Sequence, residues 1–262
     1  MQFARQIIGQ ECSKANILAT AVAAYRHDVR YFDENCNEPV IIQCFDGEVQ
    51  AIPTTWHGPK IAVLHDWNPK YRLLTLIAKE IFCIGGFNHP DFGAKGHDIS
   101  SFPLDTARIA NLPTATDYDV VIGGALRENS LNVLRSVFDG GKFKKVALVC
   151  HTVFAGTAKV FADLEAFLVN EGAEVVFRRQ NMPARVLETL YLSAPAIIHL
   201  GHCGRGWLHS LAEYRRRSGA ANVYCEKEFG NADIAKVSEV AHAIGNAADN
   251  LSRGITPVNQ PR

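Results

Sequence analysis

Two polar residues, His65 and Asp66, follow directly after the apolar run 60–64. A short apolar run of this kind predicts a buried strand, with both side chains at its carboxyl end. A carboxylate in that position could take the proton from an acceptor hydroxyl, with its pKa set by burial and by the neighbouring imidazole. The alternative is a structural Asx turn that opens the loop before Pro69.

A second candidate site begins at Gly123 and Gly124, where a predicted strand turns into a helix. Two glycines allow a close backbone approach, and the free N–H groups of a helix start attract an anion. Arg127 would add a forked donor for a phosphate. The same stretch could instead be a bare tight turn capped by Asn129 or Ser130. It matches neither a P-loop nor a dinucleotide-binding motif, so no ATPase or dinucleotide enzyme is indicated.

Imidazoles and an arginine gather after the apolar run 196–200, where His199, His202 and Arg205 lie among glycines. Such side chains at the carboxyl end of a strand predict the polar rim of a pocket. Glu213 lies on the helix that follows. Its carboxylate could accept hydrogen bonds from ribose hydroxyls, or it could simply be solvated.

The elements that must position these residues alternate between short apolar runs and helical patterns. Such alternation predicts an α/β protein with mostly parallel sheets, which bind ligands beyond the carboxyl ends of their strands. Strands are predicted at 3–8, 28–32, 39–45, 48–52, 60–64, 81–84, 118–122, 145–149, 174–177, 196–200 and 222–225. Helices are predicted at 14–27, 72–80, 130–138, 157–171, 184–192, 208–217 and 234–251. Asp46-Gly47 predicts a hairpin turn, and residues 87–118 show no sustained period and are interpreted as a link between two halves.

Composition narrows the class of protein. The chain has 262 residues and a formal net charge of zero, so no global field recruits nucleic acid or a membrane. The arginine run 215–217 is the one basic cluster that stands out, and a solvated helix end is the favoured interpretation for it. The seven cysteines form no CxxC pair, which argues against a zinc ribbon and indicates a reducing compartment. Neither a signal peptide nor a membrane span is predicted, so a cytoplasmic location is expected.

Several of these segments resemble the GT-B fold glycosyltransferases, especially the spore-maturation-type and phage DNA-glucosylating branches. Residues 117–127 look like the opening strand, glycine turn and phosphate-contacting arginine of that family's nucleotide-sugar-binding half. The segment 177–200 and the helix 207–213 look like the elements around its donor pocket. In the first half, the stretch from 16–18 through 29–33 is similar to the family's first helix and second strand. Residues 102–106 look like the stretch that precedes its second domain, and Gly219 and 222–224 follow the helix as they do in the family. The family's arginine ahead of the helix glutamate is missing, and His209 lies nearest to its place.

The resemblance implies two Rossmann-like parallel-sheet halves in a compact GT-B arrangement. Residues 1–112 would form the acceptor-side domain and residues 113–262 the nucleotide-sugar-binding domain. It implies a glycosyltransferase that moves a sugar from a nucleotide-sugar to a hydroxyl without a metal or other cofactor, with Asp66 or His65 as the base. The donor side would comprise Gly123, Gly124, Arg127, Asn129, His199, His202, Arg205 and Glu213. The acceptor, whether small molecule, glycan or nucleic acid, is not indicated.

Two alternatives stay open at this point. A caspase-like cysteine protease would use His202 and Cys225 as its dyad, since a His and a later Cys both follow strands. Only one helix separates the two residues, however, and the first half would have no role. A non-catalytic nucleotide-binding module of the same fold is the other alternative, because a fold does not fix a function.

Overall fold

The computed structural model describes residues 2–3, 30–45, 48–49, 53, 55–85, 89–104, 106–109, 117–151, 157–180, 184–201, 207–225 and 233–254. The chain forms two compact units, one of Met1–Asp105 with Asp233–Arg262 and the other of Thr106–Ala232. Each unit contains a sheet of mainly parallel strands. The predicted α/β fold with two Rossmann-like halves is therefore confirmed.

The sheet of the first unit has the strand order β2-β1-β3-β5-β6-β7, in which all neighbours are parallel. Its strands are β1 (Gln2–Phe3), β2 (Arg30–Tyr31), β3 (Val40–Phe45), β4 (Glu48–Val49), β5 (Lys60–Leu64), β6 (Glu80–Ile84) and β7 (Gly96–Ile99). Strand β4 pairs antiparallel with β3, as the two strands of the predicted hairpin should. The helical segments are two 3-10 turns (Pro69–Leu73 and Pro90–Lys95), α1 (Leu74–Ile77) and α7 (Val237–Ser252).

Three sequence predictions for this unit need comment. The helix predicted over 72–80 is instead a 3-10 turn followed by the short α1, and Glu80 already begins β6. The predicted link 87–118 was wrong in part, because it contains a 3-10 turn and the strand β7. Within the described residues β7 pairs only with β6, and its side chains are mostly half buried. A strand in this position does not require an apolar run or apolar alternation, and the sequence of β7 has neither. The predicted helix 14–27 lies outside the described residues.

The last helix, α7, belongs to the first unit. Leu104 joins the segment that leads into it, since its N–H donates to Ala235 O at 3.0 Å and its carbonyl accepts from Val237 N–H at 3.1 Å. The helix also packs against β5. The two compact units therefore differ from the division into 1–112 and 113–262, which stays a prediction. Local pattern could not show on which sheet this helix packs.

The second unit has the strand order β10-β9-β8-β11-β12, with all neighbours parallel. Its strands are β8 (Val120–Ala125), β9 (Lys145–His151), β10 (Glu174–Gln180), β11 (Ala196–Leu200) and β12 (Asn222–Cys225). Its helices are α2 (Thr106–Ile109), α3 (Ser130–Val137), α4 (Thr157–Asn170), α5 (Ala184–Ser193) and α6 (Trp207–Arg217). Phe161, Leu164 and Leu168 of α4 are buried against the apolar side chains of β8, β9 and β11.

The strand order of the second sheet fixes where a ligand would bind. In chain order the strands lie third, second, first, fourth and fifth, so the direction of winding reverses between β8 and β11. Open α/β sheets bind ligands at the carboxyl ends of their strands, at such a reversal. In the part of the chain that the structure describes, no helix is long and apolar enough to cross a membrane.

Candidate functional site

The two donor-side segments of the second unit meet at the reversal of the sheet. Gly123 of β8 pairs with His199 of β11, and Gly124 pairs with Leu200. Both strands end within a residue or two of these pairs, where α3 follows β8 and α6 follows β11. The residues singled out around 123–129 and at 199 therefore share one edge of one sheet.

Packing alone explains why two of these positions are glycine. A Cβ on Gly123 would lie 2.4 Å from Tyr191 Oη, and a Cβ on Gly124 would lie 1.8 Å from Leu200 O. Gly124 also has a φ of 120°, which side chains rarely adopt. The placement of both glycines in a turn was wrong, because β8 continues to Ala125. They let two strand ends approach closely, and this need exists with or without a ligand.

The turn itself is short and open to solvent. Arg127, Glu128 and Asn129 are exposed, and α3 begins at Ser130. Ser130 Oγ accepts a hydrogen bond from the Arg127 N–H at 2.9 Å, and the Ser130 N–H donates to Arg127 O at 3.0 Å. This pair of bonds fixes the backbone of Arg127 while its guanidinium stays in solvent. An exposed arginine beside a helix start is suited to a phosphate.

His199 is not an exposed rim residue but part of a buried cluster. Its side chain is buried, with Nδ1 hydrogen-bonded to Tyr191 Oη at 3.1 Å and its ring stacked on that of His209 at 5.3 Å. Burial and the neighbouring His209 lower the pKa of His199 to about 3. The ring is therefore neutral at physiological pH and can act through hydrogen bonding and packing rather than as a cation.

Glu213 is neither solvated nor exposed at a pocket. Its side chain is 2% exposed, and its carboxylate accepts hydrogen bonds at 2.6–2.8 Å from the guanidiniums of Arg216 and Arg217. Burial alone would raise its pKa, but these bonds and charges outweigh burial and lower it. The solvated alternative for Glu213 was wrong, while contact with ribose hydroxyls stays a prediction.

The basic run at the end of α6 is held by structural bonds. Arg215 Nη2 donates to the carbonyls of Ala194 at 2.8 Å and Ala220 at 3.0 Å. Arg216 and Arg217 are tied to Glu213 as above. A freely solvated helix end therefore does not describe the run.

In the first unit, Asp66 lies two residues beyond the end of β5 and is half-buried. Its Oδ1 accepts a hydrogen bond from the hydroxyl of Tyr71, which is fully buried, at 3.0 Å. Burial, with a smaller contribution from the Asp66 charge, raises the pKa of the Cys44 thiol on the neighbouring strand. Asp66 thus combines partial exposure with a fixed orientation, as a general base requires.

His65 has a different environment from Asp66. Its ring is buried, packs 6.0 Å from Phe102, and is hydrogen-bonded through Nε2 to Gln43 Oε1 at 2.9 Å. A buried ring tied to a neighbouring strand fits a structural role better than proton transfer to a substrate. Of the two predicted catalytic residues, Asp66 is therefore the stronger candidate.

An aromatic pair borders Asp66 on the same edge of the sheet. The rings of Trp67 and His89 stack with their centroids 4.3 Å apart and an angle of 2° between planes. Arg72 lies 3.3 Å from His89 Nε2 and forms an ion pair with Asp91 at 2.9 Å. No spacing in the sequence indicates this pair, because the two residues lie 22 positions apart in the chain.

Two predicted donor residues, His202 and Arg205, lie outside the described residues. The protease dyad of His202 and Cys225 is untested for the same reason. Cys225 itself ends β12 and is half exposed. Across the ranges that the structure describes, no group of three or more His, Cys, Asp or Glu residues is arranged to hold a metal ion.

Comparisons with known proteins bear on the fold. No protein-family model matches the chain. No curated protein matches it in sequence either. Among solved structures, the chain is similar to the crystal structure of Anabaena Alr3699/HepE in complex with UDP and glucose, with a TM-score of 0.52 and 10% sequence identity. The match covers 97% of this chain and 91% of that one. At this identity the likeness shows the fold alone, which is GT-B-like.

Proposed function

We propose that this protein is a glycosyltransferase that moves a sugar from a nucleotide-sugar donor to a hydroxyl acceptor. The observation that carries the proposal is the pairing of Gly123 with His199 at the reversal of the second sheet. Two helices begin just beyond this point, and the exposed Arg127 lies beside the first of them. The similar Anabaena structure, which contains UDP and glucose, gives further support.

On the donor side, the diphosphate would be held by Arg127 and by the first backbone N–H groups of α3. The N–H groups of Ser130 and Val133 already donate to Arg127 O and Asn129 O, so those of Leu131 and Asn132, at the positive end of the helix dipole, would contact the diphosphate. Asn129, His199, His202, Arg205 and Glu213 are the other proposed donor contacts. Because His199 is neutral, it would contribute a hydrogen bond rather than charge.

On the acceptor side, Asp66 would act as the general base. Its carboxylate would take the proton of the acceptor hydroxyl as the oxygen bonds to the anomeric carbon of the sugar. The bond between that carbon and the diphosphate would break, and Arg127 with the α3 N-terminus would offset the negative charge left on the diphosphate. Tyr71, by donating to Oδ1, would keep the carboxylate oriented toward the acceptor. These roles need no metal ion.

The test begins with a panel of UDP-, GDP- and CDP-sugars, because the base of the donor is not known. Binding is measured as an increase in the melting temperature, and turnover as release of the nucleoside diphosphate. Asp66→Asn should retain the increase in melting temperature while turnover falls by at least about a hundredfold. Normal turnover in Asp66→Asn would remove Asp66 from the mechanism.

A matched variant tests the protease alternative in the same assay. Cys225→Ser should transfer sugar as the wild type does. Donor binding without turnover toward any hydroxyl acceptor would instead indicate a binding module.

A further inference from the structure

The first unit contains a cavity that the proposed function does not use. Its volume is about 710 Å³, and it lies where β5 and β6 begin and where the turn before β7 ends. Asp66 lies beyond the opposite end of β5, whose five residues span about 16 Å. The cavity is therefore at the amino-terminal edge of the sheet, away from the catalytic edge.

Two lysines at this cavity are held in place by the backbone. Lys60 Nζ donates to the carbonyls of Trp56 at 3.2 Å and Gly58 at 3.3 Å. Lys95 Nζ donates to the carbonyls of Thr75 at 2.6 Å and Ala78 at 3.1 Å. An ammonium has three N–H donors, so two of the three are used in each lysine, and Lys60 Nζ also lies 4.9 Å from the centroid of the Trp56 ring. Such preorganised ammoniums are suited to an anion.

The remaining charges at the cavity also favour an anion. Lys79 is exposed and lines the cavity with the two fixed lysines. The acidic residue that lines it, Glu80, is buried, and its Oε2 lies 2.6 Å from His97 Nε2. Among the described residues that line the cavity, three ammoniums therefore face one carboxylate that already has a partner.

The wall of the cavity continues into an exposed apolar patch, formed by Leu73, Leu76 and Ile77. These side chains are 66%, 80% and 50% exposed. Tyr71, Leu74 and Ala78 of the same segment are buried instead, so the segment is apolar on two sides. Water-exposed side chains of this size, grouped together, are typical of an interaction surface.

The charged residues of the segment that carries this patch have one sign. Between Asp66 and Glu80 the sequence contains Lys70, Arg72 and Lys79 but no acidic residue. Arg72 is paired with Asp91, whereas Lys70 and Lys79 form no ion pair with any residue that the structure describes. Apolar side chains flanked by basic ones match a surface of anionic lipids, in which acyl chains lie beneath negative headgroups. Nucleic acid would match the charge but not the leucines.

We propose that this edge of the first unit docks on an anionic lipid surface. A lipid headgroup would be bound in the cavity by Lys60, Lys79 and Lys95. Leu73, Leu76 and Ile77 would enter the boundary between headgroups and acyl chains.

The test is co-sedimentation of the full chain with vesicles. Vesicles of phosphatidylcholine mixed with phosphatidylglycerol should bind the protein, and vesicles of phosphatidylcholine alone should bind it at least about tenfold more weakly. Leu76→Glu and Lys79→Glu should each lower binding to the mixed vesicles by roughly tenfold or more. Both side chains are exposed, so these variants should fold, which the thermal unfolding curve verifies.

Matched controls come from the second unit. Val169→Glu replaces an apolar side chain that is 57% exposed on α4, and Lys159→Glu reverses an exposed charge on the same helix. Neither should change vesicle binding. Sugar transfer by Leu76→Glu with a soluble acceptor should equal that of the wild type, so failure of the docking and failure of the proposed function are distinguishable.

Three results would overturn the proposal. The first is equal binding to both kinds of vesicle, or no binding to either. The second is displacement of the protein from the mixed vesicles by inorganic phosphate at a concentration equal to that of the lipid phosphorus. That result would indicate a site for free anions. The third is a change in Leu76→Glu from dimer to monomer in sedimentation velocity without loss of vesicle binding, which would make the patch a contact between two copies.

Discussion

Gly123 and His199 lie side by side in neighbouring parallel strands, at the point where the strand order of the second sheet reverses. Tyr191 joins them, because its hydroxyl binds His199 and occupies the space where a side chain on Gly123 would be. The floor of the candidate donor site is therefore a packed and buried structure. The exposed side chains that follow this floor are those of the turn at Arg127, Glu128 and Asn129.

The first prediction concerns Gly124. Gly124→Ala should lower the free energy of unfolding by about 3 kcal/mol or more, because it adds a clash with the Leu200 carbonyl to an unfavourable φ. Gly219→Ala is the matched control, since Gly219 has a φ of 66° but no atom within 4 Å of an added Cβ. That variant should lose only about 1–2 kcal/mol. Urea unfolding measures both, and equal losses would contradict the close approach of β8 and β11.

The second prediction concerns the pH dependence of stability through His199. The folded state lowers the pKa of His199 from 6.5 to about 3, so the unfolded state binds the proton more tightly. Acidification below 6.5 should then favour unfolding, with a contribution from this group of up to about 1.4 kcal/mol per pH unit until the folded pKa is reached.

His199→Asn removes this contribution, and its free energy of unfolding should fall less steeply than that of the wild type as pH decreases. Urea unfolding at a series of pH values between 6.5 and 4 measures the slope. His57→Asn, which changes an exposed imidazole of the first unit, should retain the wild-type slope. Parallel curves for wild type and His199→Asn would show that His199 is not buried as described.

The third prediction concerns Glu213. Its hydrogen bonds with Arg216 and Arg217 lower its folded pKa below the unfolded value of 4.5, so the ionised carboxylate stabilises the folded protein above that value. Glu213→Gln should lower the free energy of unfolding by about 2 kcal/mol at neutral pH. The difference from the wild type should shrink as pH falls below 4.5 and the carboxylate is protonated.

Glu171→Gln provides the control for Glu213, since Glu171 is an exposed acid of the same unit. It should unfold as the wild type does at every pH. A difference between Glu213→Gln and the wild type that stays constant down to acidic pH would contradict the ion pairs.

The sheets were predictable because buried parallel strands are continuous apolar runs between turn signals. The five strands of the second unit were each found within three residues of their observed ends on this basis. The edge strand β7 was missed, since Gly96-His97-Asp98-Ile99 has neither an apolar run nor alternation. Glycine is a strong turn signal, which explains why Gly123 and Gly124 were assigned to a turn when they serve strand packing.

The site was less predictable because its contacts join elements distant in the chain. The cluster of Tyr191, His199 and His209 draws on α5, β11 and α6, and no spacing in the sequence indicates it. Glu213 is different, because Arg216 and Arg217 follow at the i+3 and i+4 positions that favour helical ion pairs. That spacing could have shown its partners in advance.

The most direct test of the donor site is calorimetric titration of the wild type and of Arg127→Ala with a nucleotide-sugar. The ligand is the UDP-, GDP- or CDP-sugar that raises the melting temperature of the wild type most. Arg127 is exposed, so its removal should leave the fold intact. If the diphosphate is bound at this turn, the dissociation constant should rise by roughly tenfold or more in the variant. Arg135→Ala, a change further along α3, should bind as the wild type does. Equal affinity in Arg127→Ala and the wild type, or no binding of any nucleotide-sugar, would contradict the account.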